Sequence, residues 1–386
     1  MYPNKLYPCF SDSEFSRRYA AVRAAMQKAD LSALIVSGTA SSYNEVLYLS
    51  NFLATREAML VFPLEGDPAL FVQMYNHVPN ARLIATIKDV RWGGQNTAVT
   101  TAENLLERGA GESRIGLVGA ISYKQYESIR RVLPHAALVD FTPEMVQLRL
   151  IKSNEEIEFL RKGAEFSDRA IEALEREVGP GITEHELTAI VEGAYLGLGG
   201  KTHIHHMATT PMHNPTVCVP AQYQSNRVIE KGDVLITEIS AHYHGYPGQI
   251  LRPFAIGTPP TPQYRHMYDV AVEAFHRIAG VIRPGATTED VLDAGEYIHS
   301  AGFSIYDDLL HGFGGGYLPP ILRTRRTGAR PAAPFTFEEN MTLVIQPNVI
   351  TEDERMGVQV GELVRVTGEG VESLHRYPLR FVLCGL

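Results

Sequence analysis

Short apolar runs and amphipathic segments alternate over residues 14–132 of the chain. Apolar residues repeat at helical spacing over 14–29 and 123–132, which predicts a helix at each place. Six short apolar runs predict buried strands, at 33–36, 46–49, 59–62, 69–72, 87–90 and 115–117. Strands that alternate with helices predict an α/β domain, which we place at residues 1–149.

A second domain is predicted over residues 150–386. Ser153 and Glu156 have the spacing of a helix capping box, and apolar residues follow them at helical spacing. The segment around Pro180 recurs 104 residues later around Pro284, and each copy ends one helix with Pro-Gly and begins another. This repeat predicts two related halves, with a ligand site in the crevice between them.

Residues 233–254 predict a β-hairpin that places polar groups in an apolar sheet. Glu238 interrupts the first apolar run, a His-Gly-Tyr-Pro-Gly turn follows, and Gln249 lies in the second run. A buried carboxylate is costly without a partner, so Glu238 is either a functional group or a residue on the exposed face of an edge strand. Alternation places His242 and His244 on the face of Glu238, with exposure in a loop as the alternative.

Composition and charge narrow the class of protein. The 386 residues are 45% hydrophobic and 20% charged, which is typical of a soluble globular protein. The net charge of −9 argues against a nucleic-acid or acidic-membrane partner. No apolar run is long enough to span a membrane, and the first residues lack a signal-peptide core. Three distant cysteines predict free thiols, so we expect a cytoplasmic protein.

Short motifs in a fixed order extend over nearly the whole chain. They are Tyr48-Leu-Ser-Asn-Phe52, Arg149-Leu-Ile-Lys-Ser153, Lys231-Gly-Asp-Val-Leu235, Gly245-Tyr246, His311-Gly-Phe-Gly314, Ile345-Gln-Pro347, Gly357-Val358 and Val366-Thr367. Together with the internal repeat, this order resembles the creatinase/aminopeptidase P/methionine aminopeptidase superfamily. The resemblance implies an N-terminal creatinase-type α/β domain and a C-terminal "pita-bread" α+β domain with pseudo-two-fold symmetry.

The resemblance also carries an expectation about metals. Metallopeptidases of this superfamily hold two divalent ions through two Asp, one His and two Glu. The matching positions here are Glu238, Gln249, His311, Gln346 and Gly361, with Glu362 beside the last. Two neighbouring dications require several carboxylates, so the resemblance implies that no metal cofactor is bound, with a single ion on Glu238 and His311 as the alternative. It points instead to the branch of creatinase and ectoine hydrolase.

Hydrolysis without a metal requires a base or nucleophile and a proton donor. We expect Glu238 to be the nucleophile or base and His311 to be the proton shuttle, since its ordinary pKa lies near neutrality. His213 is a third catalytic candidate, because His213-Asn-Pro215 resembles the surroundings of the catalytic histidine of creatinase. It lies farther from Gly232 than the family spacing, which leaves an insertion or the loss of that histidine as alternatives.

A wider set of residues is expected to bind substrate. Gln249 and Gln346 can recognise an amide, a urea or a carboxylate, or bond each other across the former metal site. The resemblance implies that Arg56 and Trp92 reach the site of a partner subunit, with a surface arginine and core packing as the alternatives. The remaining candidates are His242, His244, Tyr246 and Glu362.

The sequence therefore predicts a metal-independent hydrolase of a C–N bond in a small polar carboxylate. The bond would be an amide, a cyclic amide or an amidine, and the enzyme would not be a peptidase. A lyase or decarboxylase on a small carboxylate, and a metal-less substrate-binding protein, are the alternatives. A homodimer, in which the N-terminal domain of one subunit reaches the other's site, is implied by the resemblance.

Overall fold

The structure is a computed structural model that describes residues 6–386. The chain divides into two compact units, between Arg149 and Leu150. None of the helices between residues 6 and 386 combines the length and the apolar composition needed to cross a membrane.

The first unit is built on a mixed sheet of six strands. Its strands are β1 (Ala33–Gly38), β2 (Ala58–Pro63), β3 (Ala69–Val72), β4 (Asp89–Trp92), β5 (Arg114–Val118) and β6 (Ala137–Asp140). They lie in the order β4-β3-β2-β1-β5-β6, with β1, β5 and β6 parallel to one another. The helices are α1 (Asp12–Lys28), α2 (Asn44–Ser50), α3 (Val78–Ile84), α4 (Thr97–Glu107), α5 (Tyr123–Val132) and α6 (Thr142–Leu148).

One predicted strand of this unit is wrong. Residues 46–49 form part of α2, which ends at Asn51 in a left-handed conformation (φ 61°). All four side chains are buried, so this short run has neither the alternation of a strand nor the exposed face of a surface helix. A run without a periodic pattern does not distinguish a strand from a short buried helix.

The second unit is built on a larger sheet. Its strands are β7 (Lys201–Pro211), β8 (Asp233–Tyr243), β9 (Tyr246–Leu251), β10 (Phe254–Ile256), β11 (Leu310–Phe313), β12 (Tyr317–Leu322), β13 (Thr342–Ile345), β14 (Asn348–Ile350), β15 (Gly357–Gln359), β16 (Gly361–Thr367), β17 (Gly370–Ser373) and β18 (Val382–Cys384). The main order is β12-β11-β13-β16-β9-β8-β10-β18, with β7 paired to β8 and β17 to β16. Strands β14 and β15 form a separate pair.

Two helix pairs carry the internal repeat. They are α7 (Asn154–Glu177) with α8 (Glu184–Gly193), and α9 (Pro262–Val281) with α10 (Thr288–Ser300). The capping box of Thr183 and Glu186 at the start of α8 recurs as Thr287 and Asp290 at the start of α10. The repeat in the sequence is thus a repeat of one helix–turn–helix arrangement.

Helix α7 packs closely against the β8–β9 hairpin. A Cβ added to Gly248 would lie 2.3 Å from the Cα of Ala164, so only glycine permits this approach of helix and strand. The Ser167 hydroxyl donates a hydrogen bond to the Gly248 carbonyl (2.5 Å) and accepts one from the Ala241 N–H (2.8 Å). The hairpin is therefore held rigidly from one side, which leaves its other face to build a site.

Candidate active site

The face of the hairpin that carries Glu238 is polar, and the face toward α7 is apolar. Ile239, Ala241 and Ile250 belong to the core formed with α7 and α8. Side chains alternate along a strand, so Glu238 and Ser240 point the other way. Ser240 lies opposite Gln249, and Glu238 lies opposite His206 of β7. The sheet thus gathers polar side chains on one face because its other face is used for packing.

A chain of side-chain hydrogen bonds extends across this face. Gln249 Nε2 donates to Glu238 Oε1 (2.9 Å) and to Gln346 Oε1 (2.8 Å). Asp307 Oδ2 then accepts from Gln346 Nε2 (3.4 Å) and from Gln359 Nε2 (3.0 Å). Gln249 therefore contacts Glu238 directly, and Gln346 is linked to Glu238 through Gln249.

Glu238 is 5% exposed and has an unusual ionisation. Burial raises its pKa to about 8, and the negative charges of Asp307 and Asp308 add to the increase. The hydrogen bond from Gln249 acts in the opposite direction and is the smaller effect. At neutral pH the carboxyl group of Glu238 is thus mostly protonated, and it can donate a proton.

His311 is fully buried on the same face, two positions along the β11–β13 register from Gln346. Its Nδ1 lies 3.1 Å from the Gly312 carbonyl, which can only accept, so Nδ1 carries the proton of the neutral ring. Burial lowers the pKa of His311 to about 4. Its Nε2 makes no well-directed hydrogen bond to the described residues and has a lone pair at neutral pH, although the side chain of Gln346 lies near enough to raise the pKa against the larger effect of burial.

Several residues near Glu238 were missed by the sequence analysis as parts of the site. Asp307 and Asp308 precede β11, Gln359 ends β15, and the ring of Tyr317 lies 4.2 Å from that of His311. Asp308 is half-buried, and burial together with Asp307 raises its pKa to about 6. The adjacent pair of aspartates just before His311 was the signal available in the sequence.

Two predicted substrate-binding residues have structural partners instead. Glu362 lies on the opposite side of β16 from Gly361, and its carboxylate is paired with Arg252 (2.5 Å). The alternation of side chains along a strand therefore removes Glu362 from the site. The hydroxyl of Tyr246 donates to Glu156 Oε1 (3.0 Å), which fixes the first turn of α7.

The structure does not bring His213 to Glu238. Strand β7 is antiparallel to β8, and it places His206 at Glu238 and Pro211 at Asp233. His213 follows the end of β7, at least five strand residues or roughly 17 Å along the sheet from His206. It is exposed and lines a surface cleft with Asn214 and Arg355. The catalytic role of His213 therefore stays a prediction from the sequence, and the strand register does not place His213 beside Glu238.

The remaining predicted residues lie in different surroundings. His242 is buried, and its Nδ1 accepts a hydrogen bond from the Gly245 N–H (2.8 Å), which closes the hairpin turn. His244 occupies that turn with a φ of 47°. In the first unit, Arg56 is exposed, and Trp92 is 38% exposed with its indole N–H donating to the Gln73 carbonyl (3.0 Å).

The donors at this site do not fit the two-metal centre of the superfamily. Two of the five positions are amides that are hydrogen-bonded to their neighbours, and a third is Gly361. A Cβ at Gly361 would lie 2.3 Å from the Ile345 carbonyl oxygen, so this strand position has no room for a side chain. Within residues 6–386, no group of three or more His, Cys, Asp or Glu side chains is placed to hold a metal ion.

Comparison with known proteins gives the family. Residues 18–151 match the creatinase/prolidase N-terminal domain, and residues 158–368 match metallopeptidase family M24. The chain is 26% identical to the uncharacterized hydrolase/peptidase y4tL of Sinorhizobium fredii, over 96% of each protein. It is 26% identical to the Xaa-Pro dipeptidase of Pyrococcus furiosus, over 67% of this chain and 73% of that one.

A solved structure shows the same fold. The Xaa-Pro dipeptidase from Bacillus anthracis superposes with a TM-score of 0.81, at 21% identity, over 96% of this chain and 99% of the other. The predicted superfamily and fold, with a creatinase-type N-terminal domain and a pita-bread C-terminal domain, are therefore confirmed.

The predicted function is wrong in its substrate class, which excluded peptides. The relatives are a hydrolase/peptidase and Xaa-Pro dipeptidases, which support a hydrolase but not one restricted to non-peptide C–N bonds. The prediction rested on altered ligand positions, and these bear on how a bond is cleaved and not on which bond. The lyase, decarboxylase and non-enzymatic alternatives gain no support either. The match to metallopeptidase family M24 covers residues 158–368, which is more than half of this chain, so the chain belongs to that family.

Proposed function

We propose that this protein is a peptidase that hydrolyses the amide bond of a short peptide. The observation that supports this proposal best is that two glutamines connect Glu238 to His311: Gln249 donates to Glu238 and to Gln346, and Gln346 neighbours His311. Glu238 and His311 are both buried on one face of the sheet, and their surroundings move their pKa values in opposite directions, to about 8 and about 4. Two groups with pKa values that differ in this way are suited to act as acid and base in one reaction.

The chemistry follows from the ionisation at neutral pH. His311 Nε2 has a lone pair and can accept a proton from the water that attacks the peptide carbonyl. Glu238 is protonated and can deliver its proton to the leaving nitrogen, without which the amine is a poor leaving group. After the step His311 is cationic and Glu238 is anionic, and transfer of one proton between them through solvent restores both groups.

The glutamines give this pair a fixed geometry. Gln249 donates to both Glu238 and Gln346, so the orientation of its amide is determined by two acceptors. Gln346 is beside His311 and raises its pKa slightly against the larger effect of burial. These amides therefore hold the acid and the base without adding a charge that would shift either pKa back.

Activity against short peptides tests the proposal. Purified protein is incubated at pH 7 with Ala-Pro, Gly-Pro and Leu-Pro, with Ala-Ala and with tripeptides, and free amino acids are measured by mass spectrometry. We expect turnover of at least one peptide, and a rate about 10²–10⁴-fold lower for the Glu238→Gln variant. Folded protein that cleaves no peptide in this panel would contradict the proposal, as would equal turnover by wild type and Glu238→Gln.

We infer that the unit from Leu150 to Leu386 is the catalytic domain, because Glu238, His311 and both glutamines lie in it. The homodimer, the contribution of Arg56 and Trp92 to a partner's site, and the cytoplasmic location stay predictions from the sequence.

A further inference from the structure

Tyr317 is an aromatic side chain of the site to which the proposed reaction assigns no role. It begins β12, an edge strand of the large sheet, and lies opposite Phe313 of β11. Its ring lies 4.2 Å from the ring of His311, at an interplanar angle of 33°, and 5.6 Å from the ring of Phe313. Tyr317 therefore covers the imidazole of His311 from the edge of the sheet.

The turn before Tyr317 fixes this placement. It consists of three glycines with positive φ angles of 142°, 68° and 101°, which are Gly314, Gly315 and Gly316. Residues with a side chain rarely adopt such angles, so the glycines permit a turn that other residues would strain. The turn returns the chain beside Phe313, and the first residue after it that has a side chain is Tyr317. The position of the tyrosine ring is thus encoded by the residues next to it.

Tyr317 extends from solvent to the acid of the proposed reaction. It is 47% exposed, whereas His311 is 0% and Glu238 is 5% exposed. Burial raises the pKa of its hydroxyl, and so do the negative charges of Glu238, Asp307 and Asp308, with Glu238 the largest of the three. The hydroxyl therefore lies near these carboxyl groups, and it stays protonated at neutral pH. A peptide that approaches His311 along this edge of the sheet meets Tyr317 first.

The proposed reaction also calls for a hydrogen-bond donor at the carbonyl oxygen. When water attacks the peptide carbonyl, an electron pair of the C=O bond moves to the oxygen, and a positioned donor stabilises the charge that forms there. The glutamine amide nitrogens on this face already donate to side chains of the site itself, in Gln249, Gln346 and Gln359. The Nδ1 proton of His311 is directed to the Gly312 carbonyl. The Tyr317 hydroxyl is engaged in none of these bonds.

We propose that Tyr317 is a further catalytic residue, whose hydroxyl donates a hydrogen bond to the carbonyl oxygen of the scissile peptide bond. Water bonds to the carbonyl carbon as His311 takes a proton from it, and the negative charge forms on the oxygen beside Tyr317. Collapse of this intermediate expels the amine, which takes the proton of Glu238, and the tyrosine keeps its own proton throughout. The inference rests on the proposed peptidase function and adds to it the group that stabilises the tetrahedral intermediate.

A packing role for the ring is the competing account. His311 and Phe313 both contact the ring, and a side chain that only fills the edge of the sheet needs no hydroxyl. Tyr317→Phe removes the hydroxyl and keeps the ring, whereas Tyr317→Ala removes both. A catalytic hydroxyl makes Tyr317→Phe slow. A packing role leaves Tyr317→Phe like wild type and makes only Tyr317→Ala defective.

Steady-state kinetics test the hydroxyl. The peptide that wild type cleaves fastest is used with wild type and Tyr317→Phe at pH 7. We expect kcat to fall about 10²–10³-fold, as is typical for loss of one donor to an oxyanion, and KM to change less than about threefold. The matched control is Tyr123→Phe, which removes the hydroxyl of an exposed tyrosine of α5 in the first unit and should leave both constants unchanged.

Two uncleavable ligands test the same contact without turnover. In one, a tetrahedral phosphinic group replaces the scissile amide of Ala-Pro, and in the other, CH₂ replaces the carbonyl and no oxygen is present. Calorimetry measures their affinities for the full chain, as wild type and as Tyr317→Phe. We expect Tyr317→Phe to bind the phosphinic dipeptide on the order of 10–100-fold more weakly, and the reduced dipeptide within about twofold of wild type. The reduced dipeptide thus reports whether the variant is folded.

The outcomes separate this inference from the proposed function. A kcat of Tyr317→Phe equal to that of active wild type, equal affinity of both proteins for the phosphinic dipeptide, failure of wild type to bind it, or an equal loss for both dipeptides would each overturn the role of Tyr317. If Tyr317→Phe selectively loses the phosphinic dipeptide but wild type cleaves no peptide, the hydroxyl contact stands and the peptidase proposal fails. If wild type cleaves peptides and Tyr317→Phe is as fast, the peptidase proposal stands and this inference fails.

Discussion

The sheet of the second unit carries a buried polar cluster on each of its two faces, and the two clusters are built differently. On one face, the guanidinium of Arg252 contacts Glu362 and donates to the carbonyls of Leu251, Gly361, Tyr377 and Pro378. On the other face, Glu238 has one hydrogen bond, from Gln249, and no basic partner among the described residues. The first cluster is closed, and the second retains unpartnered acceptors.

This difference separates stability from function in a single sheet. A buried charge with a full set of hydrogen-bond partners holds the surrounding structure in place. Its removal leaves those partners buried without hydrogen bonds, which destabilises the fold. A buried carboxyl group without a counter-ion makes the folded state less stable, and it is retained when its altered pKa is useful. We therefore expect substitutions in the two clusters to affect different measurements.

The largest expected effect is on catalysis, in variants of the polar cluster around Glu238. Glu238→Gln should lower kcat about 10²–10⁴-fold, which is typical for loss of a general acid. In wild type, kcat/KM should rise through the pKa of His311 near 4 and fall through that of Glu238 near 8. The pH–rate profile checks this directly, and a variant Glu362→Gln that loses activity as severely would erase the distinction between the clusters.

The next effect is on stability at the closed cluster. Arg252→Met should lower the free energy of unfolding by about 3–5 kcal/mol, because it leaves Glu362 and several carbonyls without their donor. Denaturant titration measures the change. Arg169→Met is the matched control, since Arg169 forms an exposed pair with Glu165 and should change stability by less than about 0.5 kcal/mol. Equal losses of unfolding free energy in both variants would contradict the prediction that the buried contacts of Arg252 stabilise the fold more than an exposed ion pair does.

Glu238→Gln is expected to have a smaller effect on stability, and it should raise the free energy of unfolding where Arg252→Met lowers it. The folded pKa of Glu238, about 8, exceeds the ordinary value of 4.5, so the folded state holds a proton that the unfolded state releases as pH rises between these values. Wild type therefore loses stability over this range relative to Glu238→Gln. The variant should be similar in stability at pH 4.5 and about 2–5 kcal/mol more stable at pH 8.5. Thermal unfolding at both pH values tests this, and a variant that is less stable at pH 8.5 contradicts it.

The smallest effect is expected outside both clusters. His213→Ala should change kcat/KM less than about twofold and stability by less than about 0.5 kcal/mol, because His213 is exposed and distant from Glu238 along β7. A large loss of activity in this variant would contradict this expectation, and it would indicate that the active site includes the surface cleft lined by His213 and Arg355.

Much of the fold was accessible from local patterns. The capping box of Ser153 and Glu156 begins α7 as predicted, and the repeated Pro-Gly segments each precede a second helix. These features depend only on neighbouring residues. The strand predicted at 46–49 is wrong because complete burial removes the periodic pattern on which the prediction depends.

The sequence predicted site residues only where they lie on a strand with clear alternation of apolar and polar positions, or at a position given by the family order. Glu238, Gln249 and Gln346 follow from alternation along β8 and from the family order, and the structure places them together. Asp307 and Gln359 lie in distant segments of the chain. No local sequence pattern predicts the 3.0 Å hydrogen bond from Gln359 Nε2 to Asp307 Oδ2. The same dependence on register explains why His206, and not His213, lies opposite Glu238.

Gly361 has a further consequence for how this site can change. A side chain there would meet the Ile345 carbonyl and the Cα of Gln346, at 2.3 and 2.7 Å, across the neighbouring strand. Replacing the glutamines by acids would therefore not restore the five-ligand arrangement, because the last position first requires the two strands to move apart. A five-ligand metal centre at this site therefore requires a change in the backbone spacing of β13 and β16 as well as new side chains.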